Sequence, residues 1–254
     1  MTSILGVPAD AAYHLVSGFT TFLTPALGGM AAVAAIVVCT VAARLILMPL
    51  SLRGLRGQAA AARLAPQLQD LRQRYAKQPE RLQREMTALY KREGTSMFAG
   101  LTPFLLQWPL LSVMYLLFRS AQVGGKPNTL LTRDLLGVPL GSHWLAGAGP
   151  VSAHGLVFLG VFALLAGLCW LSVRLGRQMM AQPAGADGAN VLGALIRVLP
   201  FLTVVIAAFV PLAAAIYLLA STGWALAERT FFWRTGRIPG TPPSPPKVAV
   251  AARD

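Results

Sequence analysis

Apolar residues fall in long unbroken runs along this chain, with little of the alternation that marks a half-buried strand. No Asp, Glu, Lys or Arg occurs between Ala11 and Ala43, and Gly94–Phe118 and Val151–Val173 add 25 and 23 uncharged residues. A helix needs about 20 mostly apolar residues to cross a hydrocarbon core, so each run is long enough to span a membrane. The last apolar region, Gly188–Ala227, covers 40 residues with Arg197 as its only charge. One straight helix of that length would measure about 60 Å, twice the core thickness. Val210-Pro211 is the natural break, because proline lacks a backbone donor and disfavours helix in the residue before it. The pattern predicts an all-α integral membrane protein with five spans, at 27–51, 95–118, 152–173, 190–209 and 212–232. Asp10–Leu23, within an outer N-terminal segment 1–26, is short and mildly amphipathic and is expected to lie along the interface.

Composition agrees. Of 254 residues, 55% are hydrophobic and 12% charged, and the mean hydropathy is +0.59. A soluble domain carries about 25% charged residues, so a soluble enzyme, a disordered chain and a disulfide scaffold fit poorly. Cys39 and Cys169 lie inside apolar runs and read as small buried residues. The first 43 residues hold no Lys or Arg, so the positive region of a secretory signal is missing and the N-terminus is expected to be retained.

The charge is lopsided, with 22 Lys+Arg against 9 Asp+Glu. Such a balance invites a nucleic-acid reading, but its placement favours a membrane protein with a basic cytoplasmic face. Ten basic residues lie in Ser51–Glu93, three in the loop 119–151 and two in the loop 174–189; four more lie in the tail 233–254. The positive-inside rule puts the first, the third and the tail in the cytoplasm, which gives an N-out, C-in topology. The proline-rich tail is expected to be disordered.

The cytoplasmic segment 52–94 has its own pattern. Leu64, Leu68, Leu71 and Tyr75 follow helical spacing, as do Leu82, Met86 and Leu89, with Lys77-Gln78-Pro79 between them. Asp70–Arg74, Glu80–Arg84 and Arg81–Glu85 are spaced as i,i+4 ion pairs. A projecting helical hairpin and an interfacial helix pair on anionic lipid fit this pattern equally well. Sequence-specific nucleic-acid recognition fits less well, since acidic residues are interleaved and no stacking aromatics appear.

Arg44 stands apart. It lies inside the first span, about 12 Å along a helix from the cytoplasmic end at Leu52. An arginine at the bilayer centre costs at least ~2.5 kcal/mol. Either it snorkels to the headgroups or it faces a hydrated cavity. No other span supplies an acid to pair with it, and Glu228 sits near a helix end, which favours a water-filled pocket open to the cytoplasm. Gln107 is the notable polar side chain of the second span. Tyr217, Ser221 and Trp224 share one face of the last span at i, i+4, i+7 spacing; ordinary packing is the simpler reading of each. No Walker A, HExxH or Gly-x-Ser-x-Gly element and no cluster of metal ligands appears. No cofactor and no enzymatic activity is expected.

These residues resemble a known family, the YidC/Oxa-type membrane protein insertases. Arg44-Leu45-Ile46-Leu47-Met48-Pro49-Leu50 resembles the arginine-containing end of that family's first core helix. Ala62–Tyr75 resembles the first arm of its cytoplasmic hairpin, and Glu85-Met86-Thr87-Ala88-Leu89-Tyr90-Lys91 resembles its hairpin signature. Pro103–Pro109 is similar to its Pro-x-x-x-Gln-x-Pro helix, Asp134–Leu140 to its short outer interfacial segment, and Val210–Arg234 to its last helix. The similarity runs in order over about residues 12–234. Pro211-Leu212-Ala213 departs from the family's Pro-Ser-Gly, and Ser221-Thr222 from its Ser-Asn.

The resemblance implies an insertase and chaperone in the bacterial inner membrane. Arg44, Gln107, Tyr217, Ser221 and Trp224 would form a hydrophilic groove that transiently attracts an acidic or polar segment of the substrate. Phe104, Leu105, Leu111 and Met114 would form an apolar slide for the substrate helix. Glu85, Met86, Leu89, Tyr90 and Lys91 would belong to a hairpin that makes first contact. Nascent membrane proteins and the lipid bilayer are the implied partners, with the Sec translocon and the ribosome as further candidates. A small channel or transporter is the alternative reading.

Overall fold

The computed structural model describes residues 6–94, 112–113, 116–118, 120, 122–123, 126–146, 152–179 and 199–238. Most of them are helical. Helix α1 spans Gly6–Leu27 and a 3-10 turn Gly28–Met30 links it to α2, Ala31–Arg74. Gly28 holds φ +53° there, a left-handed conformation that only glycine adopts at little cost. The chain reverses at this point, and α1 packs back along the start of α2. Tyr13 and Val16 of α1 are buried in one cluster with Ala32, Ala35 and Ile36 of α2. Leu15, Phe19 and Phe22 face outward on the other side of α1, and Phe22 is 78% exposed. The N-terminal helix is thus longer than the Asp10–Leu23 segment expected, and apolar on both faces.

Helix α2 is a single element of 44 residues with Pro49 and Pro66 inside it. The sequence pattern suggested a span followed by a separate hairpin arm. The structure joins them, because a proline inside a long helix removes one bond without stopping propagation on either side. At about 66 Å, α2 exceeds a core of about 30 Å by roughly 24 residues. Helix α3, Pro79–Arg92, returns against its far end, with Pro79 in the first turn. The turn is closed by the Gln78 amide donating to the Tyr75 carbonyl at 2.9 Å. Leu64 and Leu68 are buried and Leu71, Leu82, Met86 and Leu89 half-buried, so the two arms share an apolar seam. The three expected i,i+4 ion pairs do not close: among the described residues, the pairs within 4 Å are His14–Asp10 and Arg92–Glu93. Exposed pairs of long side chains gain too little in water to hold one geometry.

The loop 119–151, called the outer loop after the side expected for it, departs from an all-helical fold in two small antiparallel hairpins. Strands β1 (Gln122–Val123) and β2 (Lys126–Pro127) form one, and β3 (Asp134–Leu135) and β4 (Val138–Pro139) the other. Helix α4, Ala153–Met179, buries Phe158, Val161, Leu165 and Cys169 along one stripe. Helices α5 (Leu202–Phe209) and α6 (Leu212–Arg234) meet at Val210-Pro211. Helix α6 has no side-chain N-cap. Its first amides are satisfied by the outer loop instead: Leu212 N donates to Ser142 O and Ala213 N to Leu140 O, both at 2.9 Å. Helix α6 is the axis of the molecule, packing on α2, α4 and α5, and its first seven residues are all buried.

Asn128 locks the outer loop. It is buried, its Nδ2 donates to Leu117 O at 2.6 Å and Ser120 O at 3.1 Å, and its Oδ1 accepts from Leu130 N at 3.2 Å. Replacing it leaves two buried backbone groups and one partly buried carbonyl without that partner, and buried groups cost about 1–3 kcal/mol each when unsatisfied. Asn128→Ala is expected to lower stability by about 2–3 kcal/mol, read as a fall in thermal midpoint in detergent. Asn128→Asp, which aims an acceptor at two carbonyl oxygens, is expected to cost at least as much.

Candidate functional site

The polarity of the helices is inverted relative to a water-soluble protein. On α2, Leu45 and Ile46 are 50% and 78% exposed, whereas the adjacent Arg44 is 9% exposed. Large apolar side chains also face outward on α4 (Leu156, Leu164, Trp170) and α5 (Val205, Phe209). Thr40, Arg44, Ser221 and Glu228 are buried. Apolar surroundings reverse the usual sorting, and the polar groups then turn to one another.

They turn to one another between α2 and α6. The Arg44 Nη2 donates to Ser221 Oγ, across 177 residues of sequence. Tyr217, 1% exposed, lies within electrostatic reach of the same guanidinium. Seven residues further along each helix, Ser51 stands beside the carboxylate of Glu228. These two rungs have the same sequence offset, so α2 and α6 run parallel and in register here, about 10 Å between rungs. A third contact closes the far end, where Arg56 Nε donates to Arg237 O at 3.1 Å. On the other side of Arg44, the Thr40 hydroxyl donates to Ile36 O at 2.7 Å and so is satisfied within its own helix.

Four α6 residues therefore share one face at i, i+4, i+7, i+11: Tyr217, Ser221, Trp224 and Glu228. The sequence reading found the first three and set Glu228 aside as lying near a helix end. The structure corrects this. Glu228 is 5% exposed and feels the charge of Arg44. Extending the same spacing by one more turn would have found it. Its Oε1 and the Trp224 Nε1 are buried without a hydrogen bond of good geometry among the described residues, although the two side chains are neighbours.

Gln107 and the slide residues Phe104, Leu105, Leu111 and Met114 lie outside the described residues. The hairpin residues are well away from Arg44, about 40 Å further along α2. Met86, Leu89 and Tyr90 are half-buried in the seam, while Glu85 and Lys91 face outward. Between the arms is a cleft of about 330 Å³ that Glu85 shares with Asp70, Arg74 and Arg92. Among the described residues no group of His, Cys, Asp and Glu could hold a metal.

Two stretches of described helix, Asp10–Ala61 and His154–Gly176, are long and apolar enough to cross a membrane, the first of them divided at Gly28. Residues 22–238 match the model of the family described as 60Kd inner membrane protein. The chain belongs to this family. It is a membrane protein, and the matched range takes in both helices that build the Arg44 site. Similar relatives are named membrane protein insertase YidC. That of Clostridium tetani is 33% identical over 114 residues, 45% of this chain and 52% of the relative. That of Granulibacter bethesdensis is 31% identical over 163 residues, 62% of this chain and 26% of the relative. That of Clostridium perfringens is 32% identical over 106 residues, 42% and 44% respectively. The chain spans about half or less of the length of these relatives.

The parallel register makes a direct prediction. In a background with Cys39 and Cys169 replaced by alanine, the pairs Arg44→Cys/Ser221→Cys and Ser51→Cys/Glu228→Cys are expected to be joined by a short bifunctional thiol reagent, since the long side chains that meet here leave the backbones too far apart for a direct disulfide. The mismatched pair Arg44→Cys/Glu228→Cys is expected not to be. Linkage is read after proteolysis between the helices, and efficient linkage of the mismatched pair would refute the register.

Proposed function

We propose that this protein is a membrane protein insertase and chaperone of the bacterial inner membrane. The observation that carries the reading is Arg44, buried against Ser221 between two parallel helices whose outward faces are apolar. Family membership and the insertase names of its relatives support it. On this reading the chain crosses the membrane five times, N-out and C-in. The groove of Arg44, Tyr217, Ser221 and Trp224, with Gln107 from the second span, opens to the cytoplasm and to lipid.

The chemistry is electrostatic and solvational, with no bond made or broken. A polar segment entering hydrocarbon alone would lose its hydration. Beside Arg44 it exchanges water for a fixed cation and hydroxyl donors, so the barrier falls for the segment that must cross. The apolar helix behind it leaves water for lipid at about 25 cal/mol per Å², along a slide of Phe104, Leu105, Leu111 and Met114. That gain, with the membrane potential acting on charged segments, supplies the driving force, and no nucleotide or cofactor is required. The hairpin α2–α3, standing about 40 Å from Arg44, is suited to meeting nascent membrane proteins or the machinery that delivers them, with ribosome and Sec translocon as candidate partners.

Expression in a bacterium depleted of YidC tests the reading. The full chain is expected to restore growth and insertion of a small two-span substrate; failure of both would overturn it. Arg44→Ala is expected to reduce insertion of substrates with an acidic translocated segment by about tenfold, and Arg44→Lys by less, because charge is needed more than planar bidentate geometry. Equal insertion of acidic and neutral segments by Arg44→Ala would remove Arg44 from the mechanism.

A further inference from the structure

The Glu228 rung lies outside the mechanism just given. It is a carboxylate on the same face of α6 as Ser221, 5% exposed, and it neighbours Ser51 in the register that sets Ser221 against Arg44. Running from Arg44 toward the basic hairpin, α2 and α6 meet this acid about 10 Å nearer the hairpin end. A segment approaching Arg44 from that end passes Glu228 first. Two groups of opposite charge type, set in series along one side of α6, do not simply cancel. The outer one sets what may approach, and the inner one what is held. At such spacing in a partly dry site a unit charge changes the local potential strongly.

We infer that Glu228 is a specificity-determining residue, an acidic sill before the Arg44 groove that disfavours acidic segments and favours segments carrying a basic residue. Ser51 and Trp224 are the neutral polar neighbours of its carboxylate, and among the described residues no Lys, Arg or His nitrogen lies within 4 Å of it. What passes the sill rests on the insertase reading; the charge of the sill does not.

Two measurements keep those claims separable. In a background without Cys39 and Cys169, Ser51→Cys places a thiol beside Glu228. Its modification rates by an anionic and a cationic thiosulfonate of similar size are compared in proteoliposomes. Adding Glu228→Gln is expected to raise the anionic-to-cationic rate ratio about tenfold, and Glu228→Asp to leave it near the starting value. An unchanged ratio in Glu228→Gln overturns the inference. Should that variant not accumulate, Arg44→Gln/Glu228→Gln is compared with Arg44→Gln, and the same rise is expected. The second measurement is insertion of one substrate carrying an Asp, Asn or Lys in its translocated segment. Glu228→Gln, with its own native serine at position 51, is expected to improve the Asp substrate and impair the Lys substrate several-fold each. A uniform fall for all three would show a structural role and overturn the specificity. If the thiol ratio shifts while the unaltered chain inserts none of the three, the insertase reading falls and the acidic sill stands.

Discussion

The placement of one guanidinium constrains much of this structure. Burying an arginine costs several kcal/mol unless its donors are met, and the Arg44 Nη2 is met by Ser221 on a helix 177 residues away in sequence. That contact demands that α2 and α6 approach closely at one height. The heights follow from the register: Ser51 beside Glu228 one step further on, and Arg56 on the Arg237 carbonyl at the end. It also demands that α6 begin at a defined level. A helix beginning at proline has no side chain to cap its first turn, so the outer loop donates the carbonyls of Ser142 and Leu140. Asn128 then holds that loop to the backbone carbonyls of Leu117 and Ser120. The loop is therefore part of the same construction as the Arg44–Ser221 contact.

Beyond this polar core, the outward faces of α1, the first part of α2, α4 and α5 suit a surrounding hydrocarbon. Leu45 and Ile46 flank Arg44 in sequence and point the other way. In water this arrangement would expose large apolar side chains and hide a cation, costing energy on both counts. In lipid the outward leucine and isoleucine are at no disadvantage, and the inward arginine reaches hydroxyl groups. The inversion also explains why α1 can be apolar on both faces: Tyr13 and Val16 pack on α2, while Leu15, Phe19 and Phe22 need no protein partner if lipid covers them.

Where residues repeat at helical spacing, the sequence was legible. The break at Val210-Pro211 and the turn before Pro79 are local backbone chemistry, visible in a proline and its neighbours. Arg44 was conspicuous because a charge inside an apolar run has no bland neighbours to hide among. The continuity of α2 was hidden for the opposite reason. A proline and a change from apolar to charged composition both suggest an ending, yet neither prevents a helix that tertiary contacts hold on each side. Glu228 was hidden by a different error, in which closeness to a helix end was taken for exposure. The spacing of Tyr217, Ser221 and Trp224 already pointed at it. The small hairpins of the outer loop could not be foreseen from two-residue strands, and Leu136, at φ +53° in the second of them, breaks the turn preference for Asn or Asp at that position.

Pro49 connects these observations. Its missing N–H leaves the Leu45 carbonyl without the usual intrahelical bond, so α2 is weakened just after Arg44, as it is again before Pro66. The Arg44–Ser221 and Ser51–Glu228 rungs lie on either side of that point. Contacts to α6 therefore hold α2 on both sides of this weakened turn. A helix that carries Arg44 at one level and a hairpin about 40 Å further on must transmit any tilt of the hairpin through this turn. The contacts of Arg44 and Ser51 with α6 resist such a tilt, so the geometry around Arg44 and the position of the hairpin depend on the same few side chains.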